Sequence, residues 1–292
     1  MHQEGPPGEV DLVQLDRDHP GFRDPVYRAR RNHIARIALE HRSGQPVPDA
    51  PYTEAEHAVW STVWQTLGPL HRAHVVSDLV DLQDRLGLQR DRIPQLSALN
   101  PRLFAASGFR MEPVAGLVAA RTFLVRLGQG VFLSTQYVRH HSRPFYTPEP
   151  DVLHELIGHA ASLMHPGVAA VNQAMGRAAG VATEAEVARL SRVYWYTVEF
   201  GLALEAGQLR AVGAGLLSSC GELARIHDGP ELRDFDPDAM GATPYDPTDY
   251  QPWLYVAPSL DAMLNGVTRW VEEGRWRDGV APPVTEGAGP LC

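Results

Sequence analysis

Cysteine is scarce in this chain, and positive charge is in deficit. Only Cys220 and Cys292 occur among 292 residues, which excludes a disulfide framework and a four-thiolate metal site. The 26 Lys and Arg residues are outnumbered by 35 Asp and Glu residues, so the formal net charge is −9. A nucleic-acid partner requires a basic surface that neutralises phosphates, and this charge balance argues against one.

A targeting segment and a membrane span are also missing from the pattern. The N-terminal stretch MHQEGPPGEVDLVQ is polar and has no apolar region of a signal peptide. The uncharged stretch from Leu156 to Gly176 has the length of a membrane span. Its His, Asn, Gln and Pro residues would be costly in hydrocarbon, so we interpret it as a buried helix, a turn and a second helix. We expect a cytoplasmic protein with no membrane partner.

The remaining composition is that of an ordinary globular protein, with 44% hydrophobic and 21% charged residues. The length permits one sizeable catalytic domain or two. No repeat or linker divides the middle of the chain. We therefore predict one domain over 21–280, mostly α with a few short β-strands, between a flexible arm (1–20) and a C-terminal tail (281–292).

Hydrophobic periodicity and caps predict the elements of that domain. Thr53 and Glu56 form a capping-box pattern at the start of a helix. Aromatic and β-branched residues predict strands at 109–114 and 131–138. Prolines predict a loop or short helix at 93–100, and Pro, Gly and Asp predict irregular structure at 228–251. The other predicted helices are 26–41, 71–86, 151–164, 168–180, 184–206, 215–226 and 259–273.

Thirteen histidines prompt a search for metal ligands. The segment from His154 to His159 resembles the zinc-protease motif H-E-x-x-H but is one residue longer. In an α-helix, residues five apart point about 140° away from each other. The two imidazoles can meet one ion only through different rotamers or a local distortion, which Gly158 would tolerate. This spacing argues against a zinc protease.

Glu199 is the best candidate for a third ligand, because it is a lone acid in an aromatic and apolar stretch. A buried carboxylate must be paired, protonated or metal-bound. Two histidines and one carboxylate on one face of an octahedron are typical of non-haem iron(II) oxygenases. The spacing alone leaves open that these three residues are ordinary polar groups of the core, or that the metal is zinc.

The chain resembles the pterin-dependent aromatic amino acid hydroxylases from about residue 15 to 264. Six segments carry the resemblance, namely HPGFRDPVYRARR (19–31), GFRMEPVAGL (108–117), STQYVRH (134–140), FYTPEPDVLHELIGH (145–159), VYWYTVEFGL (193–202) and GAGLLSSCGEL (213–223). The resemblance implies a single hydroxylase-like catalytic domain in which His154, His159 and Glu199 bind Fe(II). It also implies tetrahydrobiopterin or a related tetrahydropterin as cofactor, O2 as cosubstrate and an aromatic amino acid as substrate.

The same resemblance assigns the substrate and pterin contacts. A planar guanidinium suits a carboxylate, and Arg139 matches the family's carboxylate-binding arginine. The other substrate positions are a glycine, two hydroxyl residues and two ring walls, namely Gly215, Thr147, Ser218, Pro150 and Trp195. The pterin positions are backbone groups, a stacking ring, an acid and a neighbouring phenol, namely Gly116, Leu117, Val118, Ala120, Phe123, Glu155 and Tyr194. Tyr146 matches a loop that closes in related enzymes.

Some positions depart from the family pattern without touching the metal ligands. They are Ala119, Ala120, Leu133, Ala160, Ala161 and His141, the last standing where small residues are common. The animal members carry an N-terminal regulatory domain and a C-terminal tetramerisation helix, for which this chain has no room. We expect a monomer that its substrate does not activate.

Trp195 favours a single-ring substrate, because tryptophan hydroxylases have a smaller aromatic at this position. We predict phenylalanine, hydroxylated to tyrosine or to meta-tyrosine. The alternatives within the family are a tyrosine or a tryptophan hydroxylase. From other classes, the alternatives are a zinc-dependent hydrolase and a non-catalytic binder of a metal or an aromatic ligand.

Overall fold

The computed structural model describes residues 12–13, 15–247 and 249–277. The expected tail (281–292), Cys292 and residues 1–11 and 14 of the expected arm lie outside the described residues. The proposed domain boundaries at both ends therefore stay predictions.

Within those ranges the chain is mostly α with short strands, which confirms the predicted fold class. The α-helices are α1 (Pro25–Glu40), α2 (Glu54–His74), α3 (Ser77–Leu86), α4 (Leu96–Ser107), α5 (Ala120–Gly128), α6 (Pro166–Ala179), α7 (Glu184–Tyr194), α8 (Ala214–Ser218), α9 (Cys220–Ala224), α10 (Pro237–Ala242) and α11 (Leu260–Glu272). The strands are β1 (Arg110–Pro113), β2 (Val131–Ser134), β3 (Leu202–Glu205), β4 (Gln208–Ala211), β5 (Glu231–Asp234) and β6 (Trp253–Ala257). Two π-helices complete the set, at His154–Ala160 and Trp195–Glu199.

Several helices begin at a residue whose side chain caps the first turn. Thr53 accepts the Glu56 amide hydrogen, and the Glu56 carboxylate accepts the Thr53 amide hydrogen, so the predicted capping box is confirmed. Ser259 caps α11 in the predicted position by accepting from the Ala262 amide. The apolar face of α2, with Trp60 and Leu67, is fully buried. Tertiary packing of such faces, rather than propensity alone, stabilises these helices.

The strands form two separate sheets. β1 and β2 pair in parallel, which confirms that the two predicted strands exist. β1 is one residue shorter at each end than predicted, and β2 ends at Ser134, so the predicted strand over 131–138 is wrong beyond that residue. The second sheet has the order β4-β3-β6-β5. In that sheet β3 and β4 are antiparallel, and β6 is parallel to both β3 and β5. The sequence did not predict this second sheet, because four or five residues are too few for a period-two pattern to stand out.

The predicted helix over 184–206 is wrong beyond Glu199. α7 passes into the second π-helix, and Phe200 ends it with a φ of −130°. The chain then enters β3 and turns back into β4. Ala206, which lies in the turn between these two strands, has a φ of 50°. Apolar residues at 198–203 satisfy a helical and an extended pattern equally well, so periodicity alone cannot place the boundary.

Four other boundaries differ from the predictions. α2 continues through Pro69 to His74, so the predicted helix over 71–86 is split between α2 and α3. α4 includes Pro101 and is longer than expected. The predicted helix over 215–226 is broken at Ser219, whose backbone is extended. The predicted irregular segment 228–251 contains β5 and α10, because a turn-rich composition describes their connections rather than the elements.

The uncharged stretch 156–176 forms a buried helical segment, a turn and the start of α6, as predicted. Across the described ranges, none of the helices combines the length and apolar character needed to cross a bilayer.

Candidate metal centre

His154 and His159 lie on one side of the first π-helix. Hydrogen bonds in a π-helix run between residues five apart, so such residues come one turn apart on the same face. The two Nε2 atoms are 3.0 Å from each other. The local distortion predicted from the spacing is confirmed, and it is the π-helix itself.

Glu199 is the last residue of the second π-helix, and its carboxylate faces both imidazoles. Oε1 lies 3.0 Å from His159 Nε2, and Oε2 lies 3.6 Å from His154 Nε2. Three potential donor groups from two separate elements therefore converge, as the sequence pattern required.

Glycines allow the surrounding backbone to come close to this cluster. A Cβ on Gly158 would lie 2.6 Å from the Ala214 carbonyl oxygen, so only glycine lets α8 pack against the first π-helix. A Cβ on Gly215 would lie 2.5 Å from the Phe200 ring and 3.0 Å from the Glu199 carbonyl oxygen. Gly215 thus lies beside the Glu199 backbone, and its predicted place in a substrate pocket stays a prediction.

Ser218 fixes the orientation of His154. Its hydroxyl donates to the Ala214 carbonyl at 2.8 Å, which leaves the oxygen free to accept from Nδ1–H of His154 at 2.9 Å. That tautomer directs the lone pair of Nε2 toward His159 and Glu199. Metal-binding histidines commonly carry such a partner on the second ring nitrogen. Ser218 is buried, and its predicted contact with a substrate stays a prediction.

The three buried groups His154, His159 and Glu199 shift one another's pKa values. Burial lowers the pKa of His154 to about 4, so its imidazole is neutral at neutral pH. Burial would raise the pKa of Glu199, but His159 and His154 outweigh burial and lower it. Burial would lower the pKa of His159, but Glu199 outweighs burial and raises it. A neutral imidazole and an ionised carboxylate are the forms that bind a metal.

Glu155 is a second carboxylate at the same cluster, since its oxygen and the two histidine nitrogens lie within 4.8 Å of one another. Its Oε1 accepts hydrogen bonds from the amide of Thr135 at 3.2 Å and from the hydroxyl of Thr135 at 3.0 Å. Burial raises the pKa of Glu155 to about 7. Glu199 is the better third donor, because it faces both imidazoles with its two oxygens and has the lowered pKa.

Tyr194 presents a buried hydroxyl without a hydrogen-bond partner among the described residues. Burial, followed by the charges of Glu199 and Glu155, holds the pKa of this phenol well above its ordinary value. Orphaned buried hydroxyls are rare in native proteins and indicate a bound molecule or water. Together with the imidazole and carboxylate donors, this hydroxyl fits a site built for a metal and a polar ligand.

Phe123, which is predicted to stack on a pterin, lies close to this cluster. The Phe123 ring packs edge-on against Phe132 at 5.5 Å and against Tyr194 at 5.8 Å, and Phe132 lies 4.7 Å from the His159 ring. The loop before α5 is open to solvent, with Leu117 73% exposed. In the described part of the chain, no hydrogen bond occupies the amides of residues 116–118. Free amides beside an aromatic ring suit a flat heterocycle.

Arg139 is held by Asp151, a residue that the sequence reasoning missed. Nε and Nη2 of Arg139 donate to the two Asp151 oxygens at 2.9 and 2.8 Å, and both side chains are buried. Burial would lower the pKa of Arg139, but Asp151 outweighs burial and raises it. Asp151 also accepts from the His154 amide at 3.2 Å. The pair thus links the predicted carboxylate-binding arginine to the start of the first π-helix.

Trp195 is held by two neighbouring rings and a hydrogen bond. It stacks on Tyr245 with ring centres 4.2 Å apart, lies 4.6 Å from the Phe200 ring, and donates from Nε1 to Gln251 at 2.9 Å. Tyr245 and Gln251 were missed because they belong to a segment predicted only as irregular. The ring wall expected of Trp195 therefore has a rigid support.

The other predicted substrate residues occupy the loop before the first π-helix. Thr147 donates to the Glu149 carbonyl at 2.7 Å, and the Pro150 carbonyl accepts from the Thr135 hydroxyl at 3.2 Å. Tyr146 on the same loop is 46% exposed. These bonds shape the loop, and the predicted substrate contacts of Thr147 and Pro150 stay predictions.

A family model for biopterin-dependent aromatic amino acid hydroxylases matches residues 10–276. Phenylalanine-4-hydroxylase of Mus musculus is 44% identical over 254 residues, which cover 85% of this chain and 56% of that protein. Tyrosine 3-monooxygenase of Rattus norvegicus is 45% identical over 252 residues, which cover 85% of this chain and 51% of that protein. The chain thus spans about half the length of these curated relatives.

A solved bacterial structure has the same fold. Phenylalanine hydroxylase of Chromobacterium violaceum, with bound iron(III) and the oxidized cofactor 7,8-dihydrobiopterin, superposes with a TM-score of 0.73. It is 28% identical, and the match covers 86% of this chain and 96% of that one. The chain belongs to the biopterin-dependent aromatic amino acid hydroxylase family.

Proposed function

We propose that this chain is an iron(II)- and tetrahydropterin-dependent monooxygenase that hydroxylates the ring of an aromatic amino acid. The convergence of His154, His159 and Glu199 from two π-helices carries this proposal. Two imidazoles and a carboxylate form a donor set that leaves other positions of the metal open. When bound there, iron together with the reduced pterin would activate dioxygen for attack on the ring.

The protein's part at the metal is to hold its ligands in one orientation and protonation state. Ser218 keeps the Nε2 lone pair of His154 directed into the cluster. The neutral imidazole of His154 and the ionised Glu199 need not lose a proton before binding a cation. Such prior organisation lowers the free-energy cost of assembling the site.

A pterin would lie against Phe123, with its polar edge on the open amides of Gly116, Leu117 and Val118 and beside Ala120. Bare amide groups can donate to the amide-like edge of the ring. Glu155, whose pKa is about 7, could donate as well as accept a hydrogen bond near neutral pH. The unpartnered hydroxyl of Tyr194 would lie near the pterin and the metal.

The amino acid substrate would bind with its carboxylate on Arg139 and its ring against Trp195. Asp151 already engages Nε–H and one N–H of Nη2, so Nη1 and the second N–H of Nη2 would bind the substrate carboxylate. Nη1 lies 3.3 Å from the Pro144 carbonyl oxygen. Thr147, Pro150, Gly215 and Ser218 complete the proposed pocket.

Phenylalanine is the proposed substrate. Trp195 is held by its stacking on Tyr245 and its hydrogen bond to Gln251, so we expect this ring wall to stay in place and to favour one ring over an indole. Tyrosine is the second candidate, because identity to the tyrosine 3-monooxygenase relative (45%) and to the phenylalanine-4-hydroxylase relative (44%) differs by only one percentage point. Both substrates present one ring and the same amino acid head group.

Oxygen uptake by the iron-loaded protein tests the proposal. Consumption is expected only when a tetrahydropterin and an aromatic amino acid are both present, with phenylalanine, tyrosine and tryptophan each offered in turn. The mass and the proton coupling pattern of the product identify the substrate and the ring position.

The rival classes give different outcomes in the same assay. A zinc hydrolase would work without oxygen and would recover with zinc after chelation. A non-catalytic protein would bind the amino acid without consuming oxygen. Either result would overturn the proposed function.

A further inference from the structure

A second group of metal-binding side chains lies at the start of α1, apart from the three proposed iron ligands. It consists of Asp24, His140 and His141, each of which places one possible ligand atom within 4.8 Å of the others. Asp24 and His140 are 116 residues apart in the chain. Their proximity is a product of the fold and does not appear in any local motif.

His140 is buried and held from three sides. The Tyr27 ring packs edge-on against it at 4.9 Å. Ser142 lies at Nδ1, with its hydroxyl oxygen at 2.7 Å. Nε2 of His140 then faces Asp24 Oδ2 at 3.2 Å. The Ser142 amide also donates to Nδ1, at 3.2 Å, so without a cation Nδ1 accepts and Nε2–H donates to Asp24. A cation at Nε2 would move the ring proton to Nδ1, where the Ser142 hydroxyl oxygen can accept it, as the second ring nitrogen of metal-binding histidines commonly has such a partner.

The two carboxylate oxygens of Asp24 have different partners. Oδ1 caps α1 by accepting from the amides of Val26 at 2.9 Å and Tyr27 at 3.0 Å. Oδ2 accepts the hydrogen bond from His140 Nε2, and a cation would take the place of that proton. The hydrogen bonds to Oδ1 fix the carboxylate plane, so Oδ2 stays in place with or without a cation.

His141 is the exposed member of the cluster, and its ring centre lies 4.3 Å from that of His140. As an exposed side chain, it forms neither part of the cap nor part of the core. An exposed imidazole beside a buried imidazole and a fixed carboxylate is an arrangement that a divalent cation would use.

We propose that Asp24, His140 and His141 form a second metal site, specific for a zinc-like divalent cation. Zinc is bound by nitrogen and oxygen donors at about 2.0–2.2 Å, which puts tetrahedral donors about 3.4 Å apart. The separation of 3.2 Å between His140 and Asp24 already fits that spacing. His141 closes the site by a rotation of its exposed side chain, and water fills the fourth position.

The site would connect the first turn of α1 to the segment that follows β2. His140 directly follows Arg139, so a cation here would tie α1 to the backbone of the residue proposed to bind the substrate carboxylate. A cation at this site would therefore hold α1 and the segment next to Arg139 together, close to the proposed substrate pocket. It does not depend on which amino acid is the substrate.

Metal analysis of the iron-loaded protein after dialysis against zinc tests the proposal. Wild type is expected to retain about one zinc that depends on His141. His141→Ala should keep its iron and lose this zinc, and His33→Ala should keep both. His33 is also an exposed histidine and belongs to α1 outside the cluster, so it is a matched control. Iron and zinc are counted separately, which keeps a failure of the iron centre distinct from a failure of this one.

Asp24→Asn gives an independent measurement. Asparagine caps helices as well as aspartate, so the variant should fold while binding zinc at least roughly tenfold more weakly. Zinc should also raise the Tm of wild type but not that of His141→Ala, because a ligand of the folded state stabilises it. The proposal is overturned if zinc retention or the Tm shift is the same with and without His141. In that case Asp24 and His140 form only a helix cap with a hydrogen bond.

Discussion

Arg139 and Asp151 form a two-pronged ion pair, with nitrogen–oxygen distances of 2.9 and 2.8 Å, in which both side chains are buried. The pair sets the direction of the guanidinium before any substrate arrives. Asp151 also accepts from the His154 amide. The same carboxylate therefore hydrogen-bonds to a residue of the proposed substrate site and to a residue of the proposed metal site.

Removing the Asp151 charge should destabilise the protein strongly. Asp151→Asn leaves the Arg139 guanidinium buried without a counter-charge, which costs about 3–5 kcal/mol in comparable pairs. Urea unfolding measures the change. Arg121→Ala is the control, because it removes a surface pair with Glu184 and should cost at most about 1 kcal/mol. Equal losses in the two variants would contradict the role given to the buried pair.

The Asp151 pair also predicts a pH dependence. Burial would raise the pKa of Asp151, but Arg139 outweighs burial and lowers it. A depressed folded-state pKa stabilises the protein above the unfolded value of about 3.9, and this contribution is lost as pH falls through the folded value. Free energies of unfolding measured below pH 4 should fall less steeply for Asp151→Asn than for wild type. Parallel curves would exclude the effect.

The three proposed iron ligands should each be essential. His154→Ala, His159→Ala or Glu199→Gln should reduce bound iron to roughly a tenth or less and abolish hydroxylation, because two ligands remain. Glu155→Gln is the matched carboxylate control and should retain iron, whatever it does to pterin affinity. Full iron content in a ligand variant, read by metal analysis, would overturn the assignment.

Ser218→Ala should weaken iron binding without removing a ligand. Loss of the hydroxyl frees His154 to rotate or to change tautomer, and losses of this kind cost about 10–100-fold in metal affinity. Competition with a chelator measures the affinity. Ser162→Ala provides the comparison, since its hydroxyl bonds to the Gly158 carbonyl and touches no proposed ligand. A change of similar size in both variants would point to general loosening of the core.

Trp195→Phe should shift substrate choice toward tryptophan. The smaller ring opens the pocket and gives up the bond to Gln251, so the ratio of kcat/KM for tryptophan to that for phenylalanine should rise about tenfold. Tyr245→Phe keeps a ring stacked beside Trp195 and should leave the ratio near the wild-type value. If Trp195→Phe does not change indole acceptance, Trp195 is not a wall of the pocket.

The local sequence determined much of this protein. Caps such as Thr53 with Glu56 and Ser259 act within one turn, so they can be predicted from neighbouring residues. Hydrophobic periodicity predicted the mostly α class, the local pattern around His154, His159 and Glu199 gave the candidate ligands, and the six family segments implied that they bind Fe(II). The spacing of His154 and His159 predicted either different rotamers or a local distortion of the helix, because 3.6 residues per turn separates residues five apart, and the structure has the distortion.

Tertiary structure decided the rest, because the groups involved are distant in the chain. The π-helix at His154–Ala160 packs against α8. Ala214 of α8 comes so close that position 158 accommodates only glycine. Four other features depend on how separate elements pack. They are the ion pair of Arg139 with Asp151, the stacking of Trp195 on Tyr245, the four-stranded sheet, and the contact of Asp24 with His140. Periodicity reports which face of an element is buried, but only packing determines which other element covers it.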